Sequence, residues 1–226
     1  MSAVAIRSSF VGRDHDLVVL EQLLVRPKTR LVTVTGPGGV GKTRIATELT
    51  PRLNEFFPDA IWIVPLAHVH DPELVLGAIA AGLGIRDLDA GETTDRIADR
   101  LGRLKALLVL DNLEQVIESG PAIARLLQAT PALTILATSR QPMQLQGEIE
   151  YPLRPLPFEA PNGLETPAEA LFAARAREAS YGFSVSDENR EAVRAIARRL
   201  EGLPLAIELA ASWVKVLPPQ RLLANL

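Results

Sequence analysis

The 226-residue sequence contains no cysteine, which removes disulfides, thiolate nucleophiles and zinc-thiolate sites together and fits a reducing, cytosolic setting. No stretch approaches the ~20 consecutive apolar residues that a membrane-spanning helix needs. The opening residues, MSAVAIRSSFVGRD, lack the basic flank and long apolar core of a secretory signal. These absences lead to the expectation of a soluble, cytoplasmic protein with no membrane partner. An excess of one charge is lacking too: 24 Lys and Arg stand against 27 Asp and Glu, a net charge of -3. That balance carries no footprint for nucleic acid, so direct nucleic-acid binding by this segment is not expected. No period of ~20 to 50 residues recurs, which excludes a repeat array. What is present is ordinary globular composition, 47% hydrophobic and 23% charged, enough for one large domain or a medium domain with a small one.

The order of apolar runs predicts an α/β fold. RLVTVTG (30–36), DAIWIVPLA (59–67), ALLVLD (106–111) and LTILATS (133–139) read as strands, with helical stretches from Lys42, after Asp71-Pro72, around 93–104 and through 121–130 between them. Strands apolar on both faces that alternate with helices imply a parallel sheet flanked by helices. Across YPLRPLPFEAPNGLETP (151–167) proline density rises and the strand signal stops, which places a domain boundary there. Beyond it only helical patterns follow, at 168–180, 186–202 and 204–217. The chain then stops inside what reads as another helix, which suggests a segment cut from something longer. The expected organisation is a nucleotide-binding domain at 1–152, a small all-helical subdomain at 153–217 and the start of a truncated following element at 218–226.

GPGGVGKT, Gly36 to Thr43, satisfies the spacing G-x-x-x-x-G-K-[ST] with a strand before it and a helix after it, the context of a P-loop NTPase. Gly36, Gly38, Gly39 and Gly41 open backbone conformations that bring N–H groups close to phosphate oxygens. A helix N-terminus follows, which favours an anion. Lys42 supplies a positive charge for the β- and γ-phosphates, and the Thr43 hydroxyl suits Mg²⁺. Val40 and Arg44, in and beside the loop, complete the set of nucleotide-binding candidates. Asp111 closes an apolar strand, where an acid that holds Mg²⁺ belongs once a phosphate loop is in place. Asn112 follows it and cannot accept a proton as a carboxylate would. Glu114 reads either as a substitute base or as an acidic residue in the first turn of a helix. Thr138, Ser139 and Arg140 end another strand on an adjacent stretch of sheet edge facing the nucleotide crevice. Arg140 reads as a sensor of the γ-phosphate or as a surface arginine. His68 and His70 have no further metal ligands near them in sequence. Trp62 and Trp213 read as core or subdomain-contact residues. The arginines of REAVRAIARR, with glutamates among them, read as a solvated, salt-bridged face.

FVGRD (10–14), GPGGVGKT, LLVLDN, ILATSR (135–140) and GLPLAIELAA (202–211) occur in the order seen in the NB-ARC ATPases of the STAND class. The chain resembles that class over nearly its whole length, and bacterial LuxR-type and SARP-type transcriptional regulators most of all. The resemblance implies that Val11 and Arg13 contact the adenine, that Pro204 presses on it from an ARC1-like helical subdomain, and that Arg140 is a sensor arginine. From the residues alone, GLPLA reads as a helix that ends at Gly202 and restarts with Pro204 near its first turn. Glu208 is assigned no nucleotide contact. The ligands implied are ATP or ADP with Mg²⁺. Self-association through the nucleotide-binding module is the protein partner that the resemblance admits, and DNA binding is expected only from a further domain. The function expected is a nucleotide-controlled switch with slow ATP hydrolysis. The alternatives are a turnover P-loop ATPase of AAA or kinase type and a degenerate scaffold that binds a protein partner. No Asn-Lys-x-Asp stretch follows the later strands, which disfavours GTP.

Overall fold

The computed structural model describes residues 9–85, 93–160 and 164–226. The opening residues 1–8 and residues 161–163 of the proline-rich stretch lie outside the described residues. Packing groups the chain into two compact units. A sheet unit holds Asp16–Gly38 and Lys42–Leu153, and a helical unit holds Met1–His15, Gly39–Gly41 and Arg154–Leu226.

In the sheet unit, strands β1 (Leu31–Thr35), β2 (Ala60–Pro65), β3 (Ala106–Asp111), β4 (Thr134–Ser139) and β5 (Glu148–Pro152) form one sheet in the order β2-β3-β4-β1-β5. Every pairing is parallel. On one face Leu31, Leu108, Leu110, Ile135 and Ala137 share a core with helices α3 (Val75–Gly82), α4 (Thr93–Leu101) and α5 (Gly120–Ala129). The alternate residues Val32, Val34, Leu107, Val109 and Leu136 point to the other face and are also buried, as a sheet covered on both sides requires. The remaining helices of this region are α1 (Asp14–Val25) and α2 (Lys42–Leu53). Asp71 caps a short 3₁₀ turn, Pro72–Leu74, by accepting from the Glu73 amide. The α/β fold with a helical C-terminal part is the one the sequence predicts.

Two features of this unit depart from the sequence reading. The strand signal does not stop before the proline-rich stretch: β5 adds a fifth strand whose last residues, Tyr151 and Pro152, lie inside it and pair with Val34 and Thr35 of β1. Its sequence EIEYP hides it, because an edge strand pairs on one side only and keeps polar residues on its exposed positions. Helix α1 also carries no expectation from the sequence. Its Leu17, Leu20, Leu23 and Leu24 are all buried, a spacing that lines one helical face.

The helical unit contains α6 (Pro167–Ala179), α7 (Arg190–Arg199), α8 (Pro204–Ser212) and α9 (Pro219–Asn225). Phe172, Val193, Ile196, Ile207 and Leu222 meet in its core. Fully burying one such side chain as large as Phe172 contributes about 1.5–3 kcal/mol. A reciprocal capping box starts α6: Thr166 accepts from the Glu169 amide at 3.2 Å, and Glu169 accepts from the Thr166 amide at 2.6 Å. The same Glu169 pairs with Arg194 of α7 at 2.8 Å, while Arg194 also reaches the exposed Glu191 at 3.0 Å. Helix α7 ends in a Schellman pattern, with Glu201 N donating to Arg198 O and Gly202 N to Ala197 O. The helical stretch expected through 217 breaks earlier, because the chain passes into a 3₁₀ turn at Trp213–Lys215. That break turns Trp213 outward beside Leu209. It is 55% exposed rather than part of the core.

Candidate functional site

Strands β3, β4 and β1 are neighbours, so whatever follows their C-terminal ends gathers at one edge of the sheet. Three segments do so: the loop from Gly36 to Thr43, the stretch from Asp111 to Glu114, and Ser139-Arg140. Gly39 and Gly41 have φ of 77° and 100°, values that residues with a Cβ rarely adopt. The chain then enters α2 at Lys42.

Lys42 is buried, and its Nζ donates to the carbonyls of Gly36 at 2.8 Å and Pro37 at 3.1 Å. Burial pushes the pKa of this ammonium below the ordinary lysine range. Glu114 opposes that shift, Arg140 adds to it, and Asp111 opposes it more weakly. Thr43 Oγ1 donates to Asp111 Oδ1 at 2.8 Å and lies 3.5 Å from Asn112 Oδ1. Asp111 Oδ1 accepts a second bond, at 2.6 Å, from Thr138 Oγ1. The same threonine oxygen accepts from the Asn112 amide at 3.0 Å. Asn112 itself sits in the left-handed region, φ 66° and ψ 47°, which asparagine tolerates better than most residues.

Glu114 lies on a 3₁₀ segment, Leu113–Ser119. Its Oε1 is 3.5 Å from Arg140 Nε, and its Oε2 is buried with no hydrogen-bond partner. Arg140 reaches the phosphate loop as well: a Cβ placed on Gly38 would lie 4.0 Å from its Nη2. Both readings of Glu114 therefore meet at one residue, an acid in a first turn that is also held at the phosphate loop.

The helical unit holds the other candidates. Arg13 is buried and its Nη2 donates to Val40 O at 3.0 Å. Val11 packs against the helical core. Pro204 opens α8, and the amide of Leu205 beside it donates to Gly39 O at 3.1 Å. Arg44 lies in the first turn of α2. His68 and His70 are exposed, and among the described residues no group of three or more His, Asp or Glu side chains gathers as a metal cage.

Two positions matter in ways the sequence reading missed. Thr138 enters that reading as a phosphate sensor, but its hydroxyl is committed to Asp111 and Asn112. Only the neighbouring of β3 and β4 brings these residues together, and no local pattern encodes it. Arg175, in the middle of α6, binds Glu208 at 2.9 Å, Glu178 at 3.0 Å, Ser9 Oγ at 3.1 Å and Ser9 O at 2.8 Å. It ties down the segment that leads into Val11 and Arg13 and engages Glu208. A single arginine among the alanines of FAARAREA was the available signal.

A model of the AAA domain family matches residues 26–145. A Mycobacterium tuberculosis protein named as an HTH-type transcriptional regulator is 37% identical over 193 residues, 85% of this chain and 21% of that protein. The regulatory protein AfsR of Streptomyces griseus is 30% identical over 215 residues, 90% of this chain and 20% of its own length. The chain thus spans about a fifth of the length of these relatives. Among solved structures, Cdc6p of Pyrobaculum aerophilum aligns with a TM-score of 0.60 at 17% identity, over 99% of this chain and 65% of that one. A signal transduction ATPase with numerous domains and a tetratricopeptide repeat sensor, from Pyrococcus horikoshii, aligns with a TM-score of 0.54 at 17% identity, over 91% of this chain and 30% of that one. At such identities the structural likeness speaks for the fold alone. Among the described residues no helix is long and apolar enough to cross a membrane.

Proposed function

The chain belongs to the AAA domain family, and from that premise we propose that it is the nucleotide switch of a cytoplasmic bacterial transcriptional regulator of the STAND class. In this reading it binds ATP or ADP with Mg²⁺ and hydrolyses ATP slowly. The identity of the nucleotide, through differential contacts to the γ-phosphate, biases the regulator's state. The organisation proposed is a nucleotide-binding domain at 1–152, an ARC1-like helical part at 153–217 and the start of a further element at 218–226. Relatives named as regulators that are about five times longer support the idea of a module within a larger protein. DNA binding and signal sensing then belong to other parts of it, and self-association is a property to test on this module.

The observation that carries the reading is the cluster Thr43–Asp111–Thr138 beside the phosphate loop, with Asn112 where a second acid would make a fast hydrolase. Thr43 Oγ1 and Asp111 Oδ1, 2.8 Å apart, are hard oxygen donors, and such a pair fits Mg²⁺, which keeps several waters and takes few protein ligands. When bound, Mg²⁺ would neutralise charge on the β- and γ-phosphates. Lys42 adds a second positive charge there, and the loop amides bind phosphate oxygens. Val11, Arg13 and Pro204 are the residues proposed for the adenine. Glu114 favours a second reading, a turnover ATPase with that carboxylate as an efficient base.

One experiment separates the two. The purified protein is denatured to identify any released nucleotide, and hydrolysis of added ATP with Mg²⁺ is followed under single-turnover conditions. A switch retains ADP or ATP and turns over well below ~1 per second, the low end of ordinary enzyme rates; rapid multiple turnover selects the ATPase. Lys42→Ala removes the charge on the phosphates. Retained ATP affinity within about threefold, or ~0.65 kcal/mol, would refute the phosphate-loop assignment.

A further inference from the structure

Within the sheet unit, Arg140 and Glu114 stand in a relation that nothing above explains. Glu114 Oε1 meets Arg140 Nε at 3.5 Å, a separation at which an ion pair forms without a well-made hydrogen bond. The partners are unequally held. The Arg140 side chain is 70% exposed and that of Glu114 only 15%, so the arginine is the partner able to leave. Where it would go is also visible, because its Nη2 lies 4.0 Å from the Cβ position of Gly38 in the phosphate loop. The other carboxylate oxygen, Oε2, is buried and has no donor. Native proteins seldom keep such an atom without a use for it, catalysis or a bound water being the usual ones. An acid whose only task was to complement a helix end would gain more from solvent contact than from this burial. Of the charged neighbours that act on Lys42, Glu114 acts most strongly, which places its charge on the side of the loop where phosphates bind.

We propose that Arg140 and Glu114 form a latch in which one arginine both detects the γ-phosphate and releases the base. Paired with Glu114, Arg140 holds the carboxylate back. A γ-phosphate, carrying more charge than one carboxylate and able to accept two parallel N–H bonds, draws the guanidinium away. Glu114 is then free to take a proton from the attacking water. The water oxygen bonds to the γ-phosphorus as the bond from that phosphorus to the bridging oxygen breaks. The electron pair leaves with ADP, and the proton passes from Glu114 to solvent. ADP cannot compete for Arg140, so the pair re-forms after hydrolysis. The inference rests on the ATP-binding reading above and adds to it the device that makes ATP and ADP distinguishable.

The test compares wild type, Glu114→Gln, Arg140→Gln and the double variant of the whole chain. Affinities for ATP and ADP are measured with Mg²⁺, together with single-turnover hydrolysis of bound ATP. Glu114→Gln removes the competitor for Arg140, so the preference for ATP over ADP rises by up to about fivefold, the reach of an exposed ion pair. Hydrolysis in that variant falls at least ~100-fold, as loss of a general base predicts. Arg140→Gln, at an exposed side chain that leaves the fold intact, lowers the ATP preference by about tenfold or more. In the double variant the gain from Glu114→Gln is absent. A preference unmoved by Glu114→Gln, or moved equally when Arg140 is already gone, overturns the latch. Should Glu114→Gln fail to fold, an unchanged preference in Arg140→Gln overturns it alone. If wild type binds neither nucleotide, the nucleotide-switch reading fails first; if it binds both and only the preference stays still, the latch alone is wrong.

Discussion

Replacing Thr138 by valine preserves the shape of a buried side chain and removes one oxygen. That oxygen donates to Asp111 Oδ1 at 2.6 Å and accepts from the Asn112 amide at 3.0 Å. Thr138 is 1% exposed, so water does not take its place. A hydrogen bond to a charged group is worth about 1.5–3 kcal/mol, and a stranded buried amide costs about 1–3 kcal/mol more. Asn112 is only half-buried and its amide regains some solvent, which brings the sum to roughly 2–4 kcal/mol. For a chain of this length each kcal/mol moves the melting temperature by about 2–4 °C, and a fall of roughly 5–10 °C is expected. The functional consequence is narrower. Asp111 keeps only its bond from Thr43, and loss of a residue that orients a metal ligand typically weakens metal affinity about 10- to 100-fold. ATP affinity measured with Mg²⁺ should therefore drop, while affinity measured in chelator should not. A melting temperature within about 1 °C of wild type, together with an unchanged Mg²⁺-dependent gain in affinity, would refute the assignment of Thr138 as the support of Asp111. Lost stability with an unchanged Mg²⁺ gain would leave the hydroxyl a purely structural role.

Two further outcomes follow from single positions. Gly202 has φ of +67° and an added Cβ would lie 2.0 Å from Leu156 O, so Gly202→Ala combines left-handed strain with overpacking. A loss of roughly 3–5 kcal/mol is expected in chemical denaturation, and an unchanged midpoint would show that the α7–α8 turn relaxes freely. Lys42 has its pKa lowered by burial, and bound triphosphate favours its charged form. The free protein therefore loses this proton at lower pH than the complex does. ATP affinity is full below the lowered pKa and declines as pH rises through it toward the ordinary lysine value of about 10.4. Affinity that stays flat or increases over that alkaline range would mean that Lys42 does not meet the phosphates.

What could be read from the sequence was whatever is encoded locally. Strands β1, β3 and β4 announce themselves because both their faces are buried, which demands uninterrupted apolar runs. The phosphate loop does so because its glycines, Lys42 and Thr43 must stand at fixed spacing along one turn. Strand β5 was illegible because an edge position lets Glu148 and Glu150 alternate with Ile149 and Tyr151, and the proline that follows mimics a linker. The partnerships at the site were illegible for a different reason. Thr138 meets Asp111, and Arg140 meets Glu114, only because β4 is inserted between β3 and β1, a choice made by the whole sheet. Trp213 shows the limit from the other side: an aromatic within an apolar segment says core, but a 3₁₀ break carries it out to solvent.

Asn112 links the backbone to the rate. The chain leaves β3 and turns at once into the 3₁₀ segment, and it does so through a left-handed residue with φ of 66°. A glutamate there would carry strain of about 1–2 kcal/mol that asparagine largely escapes through its short side chain. Its amide is held by Thr138, the residue that also holds Asp111, so the turn and the acid are fixed together. With this backbone, the position next to Asp111 suits a residue that cannot serve as a base, and the nearest carboxylate is displaced two residues onward, to Glu114. There it falls within reach of Arg140. One conformational choice thus removes a permanently available base from beside the phosphate loop and leaves one that an arginine can withhold, which is what a switch requires and a fast hydrolase does not.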